Sequence, residues 1–316
     1  MSQRFLATTD VLGQGGPLRA DRFVAAVLGC SRAAAMRLCE SGAVRVAGAR
    51  AHKATPVAAG DEVEVLAAPP DDEALRPVPD RALVIDVLYE DGDVVAVCKP
   101  AGVPSHPLSA GETGTVANAL VARYPECARA GQDPREGGLV QRLDRGTTGV
   151  LLAARTPEAW RALREVFSRH GAEKTYLALV VADRPLERTV IDLPIAHAPK
   201  NPARAMAVAD PGRAAALGAR PARTCLEPVE HLGDRALVAA TTQTGRLHQV
   251  RVHLAAVGAP IVGDTRYGGP AWDAPGFFLH AERLVVPHPR TGARLQIEAA
   301  LPHDRLERLD MLRGRR

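Results

Sequence analysis

The chain has 316 residues, 46% of them hydrophobic and only 3% aromatic, with a formal net charge of +4. That length exceeds the usual size of a single domain, so a large domain with a small accessory module is expected. The weak positive balance excludes a histone-like polycation but admits a phosphate-rich partner. No apolar run reaches 18 residues and the opening MSQRFLATTDVLGQGG lacks an apolar leader core, so neither a membrane span nor a secretory signal is expected. The five cysteines form no C-x-x-C pair and are odd in number, which points away from a zinc site or a disulfide framework and toward a reducing cytoplasm.

Residues 1–17 read as an unstructured start. The stretch ADRFVAAVLGCSRAAAMRLCESG predicts two short helices, with Asp21 and Ser31 as N-caps and Gly42 as the left-handed residue that ends the second. AVRVAG and GDEVEVL alternate as strands do, with Val63 and Val65 on one face. Five cations, Arg32, Arg37, Arg45, Arg50 and Lys53, crowd this region against Glu40 alone, which favours a basic patch over an ordinary solvated face. Four prolines and four acids between 67 and 80 then predict a linker, taken as 67–81.

A second pattern opens with ALVIDVLYEDGDVVAVCKPAG, where Asp91-Gly92 separates two β-rich runs as a hairpin turn would. Thr156 and Pro157 predict a helix N-terminus, Ala159, Leu163, Val166 and Phe167 follow at helical spacing, and Gly171 predicts its end. A strand is expected over 175–182. Residues 183–233, rich in Pro, Arg and Gly, predict irregular structure with short strands. RALVAATT reads as a strand, GRLHQVRVHLAAVG as a helix, and AERLVVPHPRTGARLQIEA as a hairpin around Arg290 to Gly292. Strands and helices mixed without strict alternation predict an α+β fold, its central sheet mixed or antiparallel and flanked by helices.

GLVQRLDRGTTGVLLAAR (138–155) sets Asp144 between Arg142 and Arg145, then runs through a Gly-Thr-Thr-Gly turn into an apolar strand. Nearby positive charge favours the ionised carboxylate, and a turn feeding a buried strand fixes it on rigid scaffold, as a catalytic group requires. His248, Arg251 and His253 share a helix-like segment, and the i,i+5 histidine spacing does not suit a zinc pair, so packing or hydrogen-bonding roles are expected. Lys99 and His106 flank the proline-stiffened KPAGVPSHP turn, which could shape a cleft or simply brace a loop.

QRLDRGTTGVLLAAR, VCKPAGVPSHP (97–107), EKTYLALV (173–180), TGRLHQVRVHLAAVGAPIVGDTRYGG (244–269) and LHAERLVVPHP (279–289) resemble, in order, the segments of the RluA-type pseudouridine synthases over roughly 83–301. The stretch from Ser31 with its closing GDEVEV resembles the S4 RNA-binding module. The resemblance implies Asp144 as nucleophile, Tyr176 against the target base, Arg246 paired with the Asp144 carboxylate, and Arg142 filling the space left by a flipped-out uridine. It also implies an isomerisation that needs no metal and no organic cofactor, because uracil is detached from ribose and reattached through carbon without redox chemistry or hydrolysis. The implied plan is an S4-like module at 18–66, a catalytic domain at 82–301 and a tail at 302–316.

Three positions depart from the family pattern. Gln141 stands where the family commonly has His and cannot carry a proton charge; Thr148 replaces a frequent Ser, and Leu247 a frequent Thr. A 23S-type ribosomal RNA is the expected partner, with tRNA as the other candidate, for a cytoplasmic monomer. The rival reading is a non-catalytic RNA-binding or assembly protein that keeps the fold, and a metal-dependent hydrolase finds no clustered ligand motif to support it.

Overall fold

The computed structural model describes residues 2–13, 16–69 and 73–314. Part of the expected linker, 70–72, lies outside them. Strands β1 (Gln3–Leu6), β3 (Val44–Val46), β4 (Ala49–Arg50) and β6 (Glu62–Val65) form a four-stranded sheet in the order β1-β6-β3-β4, while β2 (Leu18–Arg19) pairs β5 (Pro56–Val57). Helices α1 (Thr9–Leu12), α2 (Ala20–Leu28) and α3 (Arg32–Glu40) accompany them. Phe23, Val24, Leu38, Val44 and Val63 make their common core. The expected unstructured start is therefore corrected: β1 pairs residue for residue with β6, and burial of Ala7 and Leu12 anchors the turn that follows.

Ser31 caps α3 as expected, its side chain accepting from Ala34 N at 3.0 Å, and Gly42 takes the left-handed φ of +80° just beyond. Asp21, in contrast, is no cap. It lies in the first turn of α2, completely buried, where Arg19 and Arg32 donate to it at 3.0 Å each. Burial alone would raise its pKa, but the two guanidiniums outweigh that and lower it.

After a 3-10 turn at Glu73–Leu75, the chain is laid against helix α4 (Val116–Arg123): Asn118 Nδ2 donates to Val78 O at 2.8 Å, and Asp80 N to Asn118 O at 3.1 Å. Strands β7 (Asp86–Glu90), β8 (Val94–Lys99), β9 (Thr148–Ala154), β10 (Glu173–Val181), β11 (Thr189–Asp192), β14 (Arg223–Leu232), β15 (Arg235–Thr242), β16 (Leu279–Pro287) and β17 (Arg294–Glu298) build the main sheet. A separate hairpin is formed by β12 (Ile195–Ala198) and β13 (Asn201–Ala207). Helices α5 (Pro157–Ser168), α6 (Pro211–Ala216), α7 (Gln249–Ala256) and α8 (His303–Arg313) complete the elements. The main sheet runs β11-β14-β15-β10-β16-β9-β8-β7, with β17 also on β16; every pairing is antiparallel except β16 with β9. This is the mixed α+β architecture expected.

β9 is apolar throughout because both of its faces are covered. Val150, Leu152 and Ala154 meet Ala159 and Leu163 of α5, while Leu151 and Ala153 meet Val116 and Leu120 of α4. Truncating Leu151 or Leu152 to Ala would cost about 2–5 kcal/mol. The parallel contact of β9 with β16 spans only His280↔Thr148 and Ala281↔Gly149, so the sheet has two halves joined at a narrow seam. Gly149 is required there: its φ is +109°, and a β-carbon would lie 2.2 Å from Ala281 O.

Three further readings are adjusted. The helix before β10 ends at Ser168, and His170, not Gly171, takes the left-handed φ of 60°. The 183–233 region holds the ten-residue β14, which tolerates Pro228 because the pairing slips there by one residue. The expected tail is helix α8, whose Leu309 joins the core beneath α7 and β10 and whose Arg305 is 1% exposed.

Candidate active site

Asp144 sits on the loop that enters β9 beside the seam, and that loop is stapled from both sides by the 99–105 turn. Ser105 Oγ donates to Leu143 O at 2.9 Å and accepts from Leu143 N at 3.1 Å. Lys99 is fully buried and gives its ammonium to three carbonyls, Pro100 O at 2.8 Å, Val103 O at 2.7 Å and Arg145 O at 3.0 Å. Burial pulls the Lys99 pKa down to about 7, against the attraction of Asp144, yet three acceptors call for the three donors of the charged form. Lys99 and Ser105 thus fix the backbone on either side of Asp144, and the KPAGVPSHP turn braces the Asp144 loop.

The flanking arginines do not neutralise Asp144. Arg145 turns back to Gly102 O at 2.7 Å, and Arg142 reaches His106 Nε2 at 3.3 Å. Because His106 Nδ1 donates to Pro107 O at 2.9 Å, its Nε2 is the acceptor for Arg142, and burial keeps the imidazole pKa low. The arginine that pairs with Asp144 is Arg251, whose Nη1 donates to Oδ2 at 2.7 Å. Arg246, the expected partner, makes no such pair; its Nε donates to Pro221 O at 2.9 Å. The physical reason is position: Arg246 precedes α7 on the loop, whereas Arg251 lies within the helix, nearly buried at 6% side-chain exposure.

A buried guanidinium needs anchoring, and Asp264 supplies it with a two-pronged grip, Nε to Oδ2 at 2.7 Å and Nη2 to Oδ1 at 2.8 Å. The Phe277 ring centroid lies 4.2 Å from the guanidinium carbon and that of Tyr267 lies 5.0 Å away. Burial alone would lower the Arg251 pKa, but Asp264 and Asp144 together raise it. Three of its N–H groups are therefore held by two carboxylates and two rings lie against it, so Arg251 is a fixed anchor for one oxygen of Asp144.

Tyr176 comes from β10 opposite Ala281, at a point where Glu282 is an extra residue in β16 and the register shifts. Such a bulge re-aims the side chains around it. Tyr176 lines the same cleft as Asp144, with Leu279, and burial followed by the charge of Asp144 raises its phenol pKa, so it stays protonated and apolar-faced. The cleft encloses about 1100 Å³, and seven arginine and lysine side chains line it against three carboxylates. One is Lys174, held by Thr244 O at 2.8 Å and lowered by burial to a pKa of about 8. Such a lining favours a polyanion, and Asp144 is the carboxylate in it that Arg251 holds.

His253 is buried and bonded to Thr224 Oγ1 and Leu193 O, in keeping with a packing role. His248 belongs to the site itself, its Nε2 being 3.8 Å from Asp144 Oδ1. Gln141 reaches only the backbone, donating to Val150 O at 3.4 Å. Among the described residues, Asp91, Asp93 and His288 form a group close enough to share a cation, away from the cleft lining; His288 already donates to Asp91 at 2.8 Å and Arg290 pairs with Asp93 at 2.7 Å. In the first sheet, Arg32 is committed to Asp21, Arg50 to Glu40 O at 3.1 Å and Lys53 loosely to Glu40 at 3.5 Å, while Arg45 and Arg50 stand directly opposite each other on β3 and β4. Arg251, Asp264 and His248 were the functional residues missed as such, although a lone arginine among Val250, Val252 and Leu254 of an apolar helix marks a buried cation in need of a carboxylate.

Comparison with known proteins gives the family of the chain. A family model described as RNA pseudouridylate synthase matches residues 93–256. An uncharacterized RNA pseudouridine synthase of Chloroflexus aurantiacus is 38% identical over 289 residues, covering 90% of this chain and 87% of its own. A ribosomal large subunit pseudouridine synthase D of Nitrosomonas europaea is 34% identical, covering 81% and 72%. The solved human RNA Pseudouridylate Synthase Domain Containing 4 shares the fold, with a TM-score of 0.56, 24% identity, and coverage of 72% of this chain and 93% of that one. The chain belongs to the RNA pseudouridylate synthase family, which isomerises uridine in RNA.

Proposed function

We propose that this enzyme converts a uridine of large-subunit ribosomal RNA to pseudouridine, with Asp144 as the nucleophile acting on a nucleotide turned out of its stack. The observation that carries the reading is the Arg251 grip on one oxygen of Asp144 inside a cation-lined cleft that also holds Tyr176. Relatives named for the large ribosomal subunit favour that RNA over tRNA. In the reaction the bond from C1′ to N1 breaks, a bond from C1′ to C5 forms, the C5 proton leaves and N1 gains one. No electron is gained or lost, so a carboxylate, a stacking phenol and exclusion of water are sufficient.

Arg142, exposed at the cleft and steadied by His106, is placed to occupy the gap left by the extruded base, whose removal from the stack costs a few kcal/mol. Residues 18–66 act as an S4-like tether and 82–301 as the catalytic domain. The tether reading is supported by Arg45 and Arg50, like charges in directly opposed positions that a phosphate chain would relieve. Asp144→Asn is expected to abolish tritium release from 5-tritiated uridine in ribosomal RNA while leaving RNA binding nearly intact; full release by that variant would refute the assignment.

A further inference from the structure

Two residues with a β-carbon line the cleft with positive φ, His170 and His248, and His248 is the one beside Asp144. It sits at φ 53° and ψ 26°, in the left-handed region that a residue with a β-carbon seldom adopts, at the N-cap of α7. What holds it there is the buried amide of Gln249. Its Oε1 accepts from Arg246 N at 3.1 Å and Thr244 Oγ1 at 2.8 Å, and its Nε2 donates to Thr242 Oγ1 at 2.7 Å and Arg223 O at 3.0 Å. Strain of this kind persists only where the surroundings over-determine it, and it gathers at working sites.

The ring itself is fixed at its other end. His248 Nδ1 lies 2.7 Å from Tyr267 Oη, and Tyr267 Oη accepts from Ala205 N at 3.0 Å. With one lone pair of the phenol oxygen already engaged by the amide, the arrangement that uses every group has the hydroxyl donating to Nδ1. The proton of the imidazole is then on Nε2, the nitrogen that faces Asp144 Oδ1 at 3.8 Å. Burial, with Arg251 and Arg266, outweighs Asp144 and Asp264 and lowers the His248 pKa, which keeps the ring neutral and this tautomer in place.

We propose that His248, set by Tyr267, is a positioning residue for the nucleophile: Arg251 anchors Oδ2 of Asp144 and the Nε2–H of His248 orients Oδ1 toward the nucleoside. A carboxylate held at one oxygen can still swing about its Cβ–Cγ bond, and a second contact removes that rotation. The separation of 3.8 Å is beyond a hydrogen bond in the empty cleft and closes when substrate fills it, as contacts in unliganded sites commonly do.

The inference rests on Asp144 being the nucleophile, so the test separates the two. Asp144→Asn, His248→Ala, His248→Gln and Tyr267→Phe are assayed side by side by tritium release from ribosomal RNA, with kcat and KM resolved and thermal melts recorded for each. Ala and Gln both keep a β-carbon and so carry the same backbone strain, but only Gln returns an N–H near the position of Nε2. His248→Ala is expected to lose kcat by about 10- to 100-fold with KM little changed. His248→Gln should recover most of that loss, and Tyr267→Phe should show a smaller loss of the same kind. A His248→Ala enzyme with kcat within twofold of the parent, equal losses in Ala and Gln, or a loss confined to KM would each overturn the proposal while a dead Asp144→Asn enzyme left the nucleophile in place. Turnover by Asp144→Asn would instead strike at the function itself.

Discussion

Cations sit in two different settings in this molecule. In the cleft, Arg251 is nearly buried, grips Asp264 with two prongs and presents its remaining amine to Asp144. On the first sheet, Lys53 and Glu40 are about half exposed at 3.5 Å, and Arg45 and Arg50 stand side by side facing solvent. An exposed pair contributes about 0–1 kcal/mol and is screened by salt, whereas breaking a buried one costs about 3–5 kcal/mol. On the proposed function, the buried guanidinium is expected to set geometry and the exposed ones attraction. Damage at the first should appear in kcat, and damage at the second in affinity.

The comparison breaks most visibly at Asp264. Asp264→Ala leaves Arg251 buried with half its partners gone, so Arg251 is free to collapse onto Asp144 and draw it out of line. A loss of stability of about 3–5 kcal/mol is expected, read as a lower melting temperature. The rate should fall by about 100-fold or more even below that temperature, because a nucleophile displaced by 1 Å costs that much. A variant that melts early but turns over normally would show that Asp264 serves the fold and not the aim of Arg251.

How far such assignments could be made from the chain alone depended on distance along it. Local patterns were legible: the Ser31 and Thr156 caps, the Asp91-Gly92 hairpin, the strand at Arg235–Thr242 and the apolar run of β9 all occur as read, since each is fixed by neighbours in sequence. The placement of Asp144 on a turn that feeds a buried strand was legible for the same reason. Its partner was not, because Arg246 and Arg251 share one short segment and only the helix start at Gln249, with Asp264 opposite, tells which of them turns inward. The same limit explains Asp21, which looked like a cap until Arg19 and Arg32 closed on it, and β1, whose partner lies some sixty residues downstream. The proline at 228 hid β14 because the slip in pairing that accommodates it belongs to β15 as much as to β14.

Arg142 sharpens the comparison from between its two poles, being exposed yet inside the cleft. Its contact with His106 holds it at the mouth without committing its full fork. Arg142→Ala should lower activity on folded RNA by about tenfold, or about 1.4 kcal/mol, a part of the few kcal/mol that unstacking demands. Activity on a short single-stranded RNA carrying the same uridine should change far less. Equal losses on both substrates would mean that Arg142 binds phosphate and does not fill the vacated stack.

The smallest effect is expected at the exposed pole. Replacing both Arg45 and Arg50 by Ala removes two opposed like charges but also the bond of Arg50 to Glu40 O and the charge of Arg45 opposite Glu64, so stability should change by no more than about 1 kcal/mol. RNA binding should weaken several-fold near physiological salt, and the slope of log affinity against log salt should become shallower by about 1 to 2, because each lost phosphate contact releases one counterion fewer. The loss belongs in KM, with Arg251 and Asp144 untouched. Should the salt slope stay as steep as in the parent, phosphate recognition would have to lie in the cleft lining alone, and the cations of the first sheet would be no more than a solvated face.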